Sequence, residues 1–152
     1  MPEVEYTATL GALSEGGVDF ILVGGLAAVL SGAPINTFDV DVVHSREPGN
    51  IHCLPHVLDA LDVKPDASHL SSTGHLTLIT RYGPLDLLGT IGQGLGYQDL
   101  IPHSVELHIS EELRIRVLDL ETLIMIKEEL GGEKDRAVLP ILRRTLEEQR
   151  KR

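Results

Sequence analysis

Two aspartates one residue apart, Asp39 and Asp41, follow a pair of glycines, Gly24 and Gly25, along the chain. In an extended strand, side chains at positions i and i+2 point to the same face, with their Cα atoms about 6.6 Å apart. Two carboxylates aimed at one point repel each other unless a cation lies between them. The spacing of the two aspartates therefore indicates a cation site.

A third acid, Asp86, lies between Leu85 and Leu87 in a later apolar stretch. An acid in a sheet strand is costly to bury without a partner, although exposure on a sheet edge is the alternative. If the two strands are neighbours, Asp39, Asp41 and Asp86 converge on one patch. Carboxylate oxygens suit Mg²⁺ or Mn²⁺, and two such ions about 3.5 to 4 Å apart support an in-line phosphoryl displacement. These aspartates are the predicted catalytic and metal-binding residues.

The glycine pair ends a predicted strand and precedes a predicted helix. Because glycine has no Cβ, the backbone can approach a ligand closely at this point, and the free amides of a following helix suit a phosphate. We therefore predict that Gly24 and Gly25 bind a triphosphate, with an ordinary turn as the alternative.

The elements that must position these residues follow from hydrophobic periodicity and from glycine and proline breaks. They predict an α+β fold, in which a mixed β-sheet has flanking helices and the C-terminus is helical. The predicted helices cover residues 6–15, 26–30, 48–61 and 120–130, followed by a last helix. The predicted strands cover residues 18–23, 38–44, 76–80, 84–88, 105–109 and 113–117.

Two prolines complicate the helical pattern. Pro55 inside residues 48–61 predicts a kink or two shorter helices, because proline removes one backbone hydrogen bond. Pro140 fits best in the first turn of a helix, which moves the predicted start of the last helix past Asp135.

The composition is that of a globular protein. Of 152 residues, 42% are hydrophobic, so we expect one domain over residues 1–152, with a core at 1–118 and a helical element at 119–152. The net charge of −10 argues against a broad contact with nucleic acid, which requires basic residues. We predict a cytoplasmic protein that does not contact a membrane. The sequence has no long apolar run, no basic signal region at the N-terminus and only one cysteine, Cys53.

These residues resemble the nucleotidyltransferase superfamily with the polymerase-beta-type fold, particularly small bacterial members related to abortive-infection and toxin–antitoxin nucleotidyltransferases. The resemblance covers most of the chain and rests on three motifs in this order: Val23-Gly24-Gly25-Leu26-Ala27, Thr37-Phe38-Asp39-Val40-Asp41 and Leu85-Asp86-Leu87-Leu88. It implies a nucleoside triphosphate such as ATP as substrate and Mg²⁺ or Mn²⁺ as cofactor.

The resemblance also implies further nucleotide-binding residues. Thr37 belongs to the acid motif, and the stretch from Asp119 to Lys127, with the later Asp135, looks like the helical element in which a lysine and an acidic residue line the cleft. Thr37, Lys127 and Asp135 are therefore expected at the nucleotide site.

The predicted function is transfer of a nucleoside monophosphate to an acceptor with release of pyrophosphate. The acceptor stays open between a small molecule, RNA and a protein, and a protein partner or a second copy of the chain could supply contacts to it. Relatives often carry an arginine two residues before the threonine of the acid motif, where this chain has Ile35. The alternatives are therefore a catalytically inactive nucleotide-binding or partner-binding module of a toxin–antitoxin-like pair, and a scaffold with incidental acids.

Overall fold

The computed structural model describes residues 5–152, apart from the side chain of Ala67. The prediction that the N-terminus lacks a basic signal region rests on the first residues and lies outside this part of the chain. The elements, in chain order, are α1 (Tyr6–Glu15), β1 (Phe20–Val23), α2 (Gly24–Leu30), β2 (Val40–His44), α3 (Pro48–Ala60), α4 (Ala67–Leu70), β3 (His75–Thr80), β4 (Gly83–Leu88), α5 (Tyr97–Leu100), β5 (Ser104–His108), β6 (Arg114–Leu118), α6 (Leu120–Leu130) and α7 (Glu133–Arg150).

The six strands form one mixed sheet in the order β3-β4-β2-β1-β6-β5. Two pairs are parallel, β2 with β4 and β1 with β6, and the other three are antiparallel. The predicted α+β fold with a mixed sheet is therefore confirmed. The register places Val23, Asp41, Asp86 and Thr77 side by side across four neighbouring strands. Because neighbours in one row point to the same face, this row brings two acids together.

Helices flank the sheet and bury a core made mainly of leucine, isoleucine and valine. Helix α1 contacts α3 and β6, while α2 contacts β1, β2 and α6, and α6 packs along α7. Leu85 and Leu87, which flank Asp86, are almost completely buried. They fix the strand in place, so the acid between them must point to the opposite face.

Helix α6 has the boundaries that its sequence predicts. The Asp119 side chain accepts a hydrogen bond from the backbone N–H of Thr122 at 2.8 Å, and Gly131 ends the helix in a left-handed conformation with φ +62°. Both devices satisfy backbone groups that a helix end leaves free. Lys127 is thereby placed in the last turn, close to the start of α7.

Strand β2 begins at Val40, so the prediction of a strand from residue 38 is wrong by two residues. Its neighbour β1 ends at Val23, opposite Asp41, because the chain turns into α2 at Gly24. Asp39 therefore precedes the sheet ladder instead of lying within it.

Of the two proline predictions, two shorter helices around Pro55 and a start of the last helix past Asp135 are both wrong. Helix α3 is one helix through Pro55, and α7 starts at Glu133, before Asp135, and continues through Pro140. Pro140 is exposed, so the backbone carbonyl that loses its partner can face water. The buried Leu139 and Leu142 side of α7 stabilises the helix across this position.

Membrane insertion of a helix has no support in residues 5–152. None of the helices there combines the length and apolar character that a bilayer span requires.

Candidate active site

Asp41 and Asp86 face each other across the parallel pair β2 and β4, where they are direct register partners. Burial, the hydrogen bond to Asp86 and the negative charges of Asp86 and Asp39 raise the pKa of Asp41 to about 7, and only Lys127 opposes this. Two carboxylates in contact disfavour the state in which both are ionised. Without a cation, the carboxylate pair therefore retains one proton near neutral pH.

Edge strand β3 holds Asp86 in place. The Thr77 hydroxyl donates to Asp86 Oδ1 at 2.6 Å, and His75 Nε2 lies 3.0 Å from the same oxygen. Burial raises the pKa of Asp86, but hydrogen bonds from Asp41, Thr77 and His75 outweigh it, so that the pKa lies below its ordinary value. Asp86 is only 8% exposed, and these partners allow its charge to be buried.

Asp39 is exposed and lies one residue before β2. Its charge contributes to the raised pKa of Asp41, so it lies within electrostatic range of the pair. Across the part of the chain that the structure describes, no three His, Cys, Asp or Glu side chains form a ready-made metal cluster. The structure thus brings Asp41 and Asp86 into contact and leaves Asp39 at their edge.

The donor chemistry of this pair fits a hard divalent cation. Mg²⁺ is usually bound through one or two carboxylates, and waters and substrate phosphates supply the remaining ligands. Burial and the neighbouring carboxylates raise the pKa of Asp41, and a bound cation would favour its ionised form. Asp41 and Asp86 have the oxygen donors that Mg²⁺ requires, and Asp39 could add a third.

The glycine turn packs directly against this pair. Gly24 has φ +71°, and a Cβ added there would collide with the Asp41 carboxylate. A Cβ at Gly25 would lie 2.9 Å from Thr37 Oγ1. Glycine is therefore needed at position 24 for its backbone conformation and for the space that Asp41 occupies.

A cavity of about 340 Å³ opens beside the carboxylates. Four predicted site residues line it, namely Gly24, Asp41, Lys127 and Asp135, together with His75. Lys127 Nζ lies 3.1 Å from Asp135 Oδ1. The remaining wall is largely apolar and includes Val23, Leu88, Ile91, Leu123, Ile126 and Leu130.

The remaining predicted residues do not line this cavity. Asp86 borders it through its contacts with His75 and Asp41. Gly25, Thr37 and Asp39 lie outside the lining, on the glycine turn and on the segment that leads into β2. The Thr37 hydroxyl is 3.5 Å from the Asp39 carbonyl oxygen, the long limit of a hydrogen bond.

Neither a protein-family profile nor a curated protein sequence matches this chain. Solved structures do match it. A Thermotoga maritima protein provisionally described as a nucleotidyltransferase is 19% identical, with a TM-score of 0.60 over 97% of this chain and 96% of its own. This chain has a nucleotidyltransferase fold. The lincosamide antibiotic adenylyltransferase LnuA, solved with lincomycin bound, is 14% identical, with a TM-score of 0.58 over 93% of this chain and 96% of its own.

The nucleotidyltransferase fold explains how distant parts of this sequence meet. Strands β1, β2, β4 and β3 are neighbours, so the turn at Gly24, the two acids and the Thr77 hydroxyl lie close together. His75 and Thr77 were not among the predicted site residues. The signal that could have found them is the alternation of polar and apolar residues along β3, which puts both side chains on one face.

Proposed function

We propose that this protein transfers a nucleoside monophosphate from a nucleoside triphosphate to an acceptor and releases pyrophosphate, with Asp39, Asp41 and Asp86 as ligands of Mg²⁺ or Mn²⁺. The observation that carries the proposal is the contact between Asp41 and Asp86 beside the Gly24 turn, at the mouth of a cavity. The nucleotidyltransferase fold supports it.

In this reaction the acceptor oxygen attacks the α-phosphorus, the bond to the β-phosphate oxygen breaks, and pyrophosphate leaves. Bound divalent cations would neutralise phosphate charge and activate the attacking oxygen. Asp86 is kept ionised by Thr77 and His75, so it can accept the proton that the acceptor releases.

The other predicted residues would surround the nucleoside triphosphate. Gly24 and Gly25 let the backbone approach the triphosphate, and Lys127 places its ammonium group in the cavity. Thr37 lies against Gly25, and Asp135 pairs with Lys127. Together they form the proposed nucleotide site.

A small molecule is the acceptor class that we favour. The net charge of −10 opposes binding of a long polyanion such as RNA. The matching adenylyltransferase acts on lincosamide antibiotics, which makes lincomycin and ATP the first pair of substrates to test.

The test incubates the protein with each of the four nucleoside triphosphates, labelled at the α-phosphate, in Mg²⁺ or Mn²⁺. Lincomycin, other small hydroxyl and amine compounds, RNA and the protein itself serve as acceptors. Label should move to an acceptor, and Asp41→Asn or Asp86→Asn should abolish the transfer. Asp59→Asn removes an exposed carboxylate on α3 and is the matched control.

The outcomes separate the two main candidates. Nucleotide binding without transfer would favour the catalytically inactive module. This module is the second candidate function because Ile35 stands where relatives often carry an arginine. Ile35 packs against the hydrophobic core and offers no charge to a phosphate. Absence of both binding and transfer would refute the proposal.

A further inference from the structure

Lys127 and Asp135 form an ion pair inside the cavity that Asp41 lines. Their side chains are only 21% and 22% exposed, so water screens this pair less than an ion pair on the surface. The N–O distance of 3.1 Å lies within the range of a hydrogen bond. The positive charge of Lys127 is therefore already compensated before any ligand enters.

The cavity has few other positive charges. Among its lining residues in the described chain, Lys127 is the only lysine or arginine, and Asp41 and Asp135 are both acidic. His75, the remaining basic side chain there, is occupied by Asp86. A free triphosphate would meet a predominantly acidic surface.

The ion pair is not required to hold its two helices together. It spans the turn between α6 and α7, where Gly131 adopts φ +62°. A second pair, Arg143 with Glu128 at 2.9 Å, joins the same helices outside the cavity. Buried leucines of α7 add apolar contacts, so helix packing does not depend on Asp135.

We propose that Asp135 makes nucleotide binding depend on the divalent cation by competing with phosphate for Lys127. The proposal rests on the proposed function, because it places the triphosphate in this cavity. A nucleotide that carries its cation brings positive charge to Asp41 and Asp86 and can displace Asp135 from the lysine. A metal-free nucleotide gains no such compensation, so the site selects the metal complex.

The experiment measures binding of an ATP analogue with a methylene bridge between the α- and β-phosphates, which cannot be turned over. Titrations with Mg²⁺ and with EDTA compare the wild type, Asp135→Asn, Lys127→Met and the double variant. Glu128→Gln is the matched control, because it removes a carboxylate from the other ion pair between the same helices.

We expect the wild type to bind the analogue much more tightly with Mg²⁺ than in EDTA. Asp135→Asn should bind it in EDTA up to about fivefold more tightly than the wild type, since the phosphate no longer competes with a carboxylate for Lys127. The double variant should lose this gain, which would show that it acts through Lys127. Glu128→Gln should behave as the wild type does.

Three results would count against the proposal. If Asp135→Asn weakens binding in both conditions, Asp135 supports the nucleotide directly and the inference is wrong. If the wild type binds equally well in Mg²⁺ and in EDTA, the inference again fails while the proposed nucleotide site survives. If the wild type does not bind the analogue with Mg²⁺, the proposed function itself fails. Asp135→Ser gives the same readout if Asp135→Asn does not fold, as judged by circular dichroism.

Discussion

Replacing Asp41 by Asn is expected to stabilise the metal-free protein at pH 8, although it removes a proposed metal ligand. Asn has nearly the shape of a protonated Asp, and its amide can donate to the Asp86 carboxylate. The substitution therefore keeps the contact between the two side chains and removes the repulsion between them. A residue retained for its chemistry at a cost in stability should behave in this way.

The magnitude follows from the pKa of Asp41, which rises from its ordinary value of 3.8 to about 7. One pKa unit corresponds to about 1.36 kcal/mol, so the full rise would correspond to about 4 kcal/mol. The Asp41 side chain is only half-buried, and solvent screens part of the interaction. We therefore expect Asp41→Asn to raise the free energy of unfolding by about 1 to 2 kcal/mol at pH 8.

The effect has a defined pH dependence. Because the pKa of Asp41 is higher in the folded state, the folded protein binds more protons than the unfolded chain between about pH 4 and pH 7. This proton binding stabilises the folded state, and the stabilisation is lost as the pH rises through 7. The opposite holds for His44, whose pKa is lowered by burial despite its hydrogen bond to the Leu70 carbonyl, with the charge of Arg46 lowering it further. His44 is present in both proteins, so its contribution cancels in the difference.

Urea denaturation in EDTA at pH 5.5 and pH 8 would measure this difference, with Asp59→Asn as a control at an exposed site. The gain from Asp41→Asn should be present at pH 8 and about half as large at pH 5.5. Saturating Mg²⁺ should reverse the order, because a ligand at 100 times its Kd stabilises the protein that binds it by about 2.7 kcal/mol. A variant that is no more stable than the wild type at pH 8 would refute the reasoning.

Two further predictions concern the residues around the pair. Gly24→Ala should destabilise the fold by about 1 to 3 kcal/mol, because it forces a side chain into positive φ and against the Asp41 carboxylate, whereas Gly49→Ala has open space and should be close to neutral in the same urea titration. Thr77→Val should weaken Mn²⁺ binding by about tenfold, since it removes the hydroxyl that fixes Asp86, and Thr77→Ser should keep the wild-type affinity. Calorimetric titration with Mn²⁺ would check both variants. Unchanged affinity in Thr77→Val would exclude this role of Thr77.

Features that depend on neighbouring residues could be predicted from the sequence. The ends of α6 were correct because Asp119 and Gly131 act within one turn of the chain. The Leu-Asp-Leu pattern around Asp86 correctly required a partner for a buried acid, since the cost of burying a charge is independent of the fold.

Features that depend on strand pairing could not be predicted from the sequence. Thr77 and His75 reach Asp86 from another strand, and nothing local to residues 84–88 identifies them. The position of Asp39 outside the ladder depends on where β1 ends. The start of α7 was wrong because the proline rule ignores its buried leucine side, which stabilises the helix through Pro140.

The parallel contact between β2 and β4 has a consequence for biosynthesis. These strands are adjacent in the sheet, but α3, α4 and β3 lie between them in the chain, as the crossover of a parallel pair requires. A nascent chain that has emerged only as far as β2 carries Asp41 without its opposing acid. The proposed affinity for divalent ions would therefore arise only after β4 has paired with β2. The rate of ion uptake during refolding would then report the rate of that pairing.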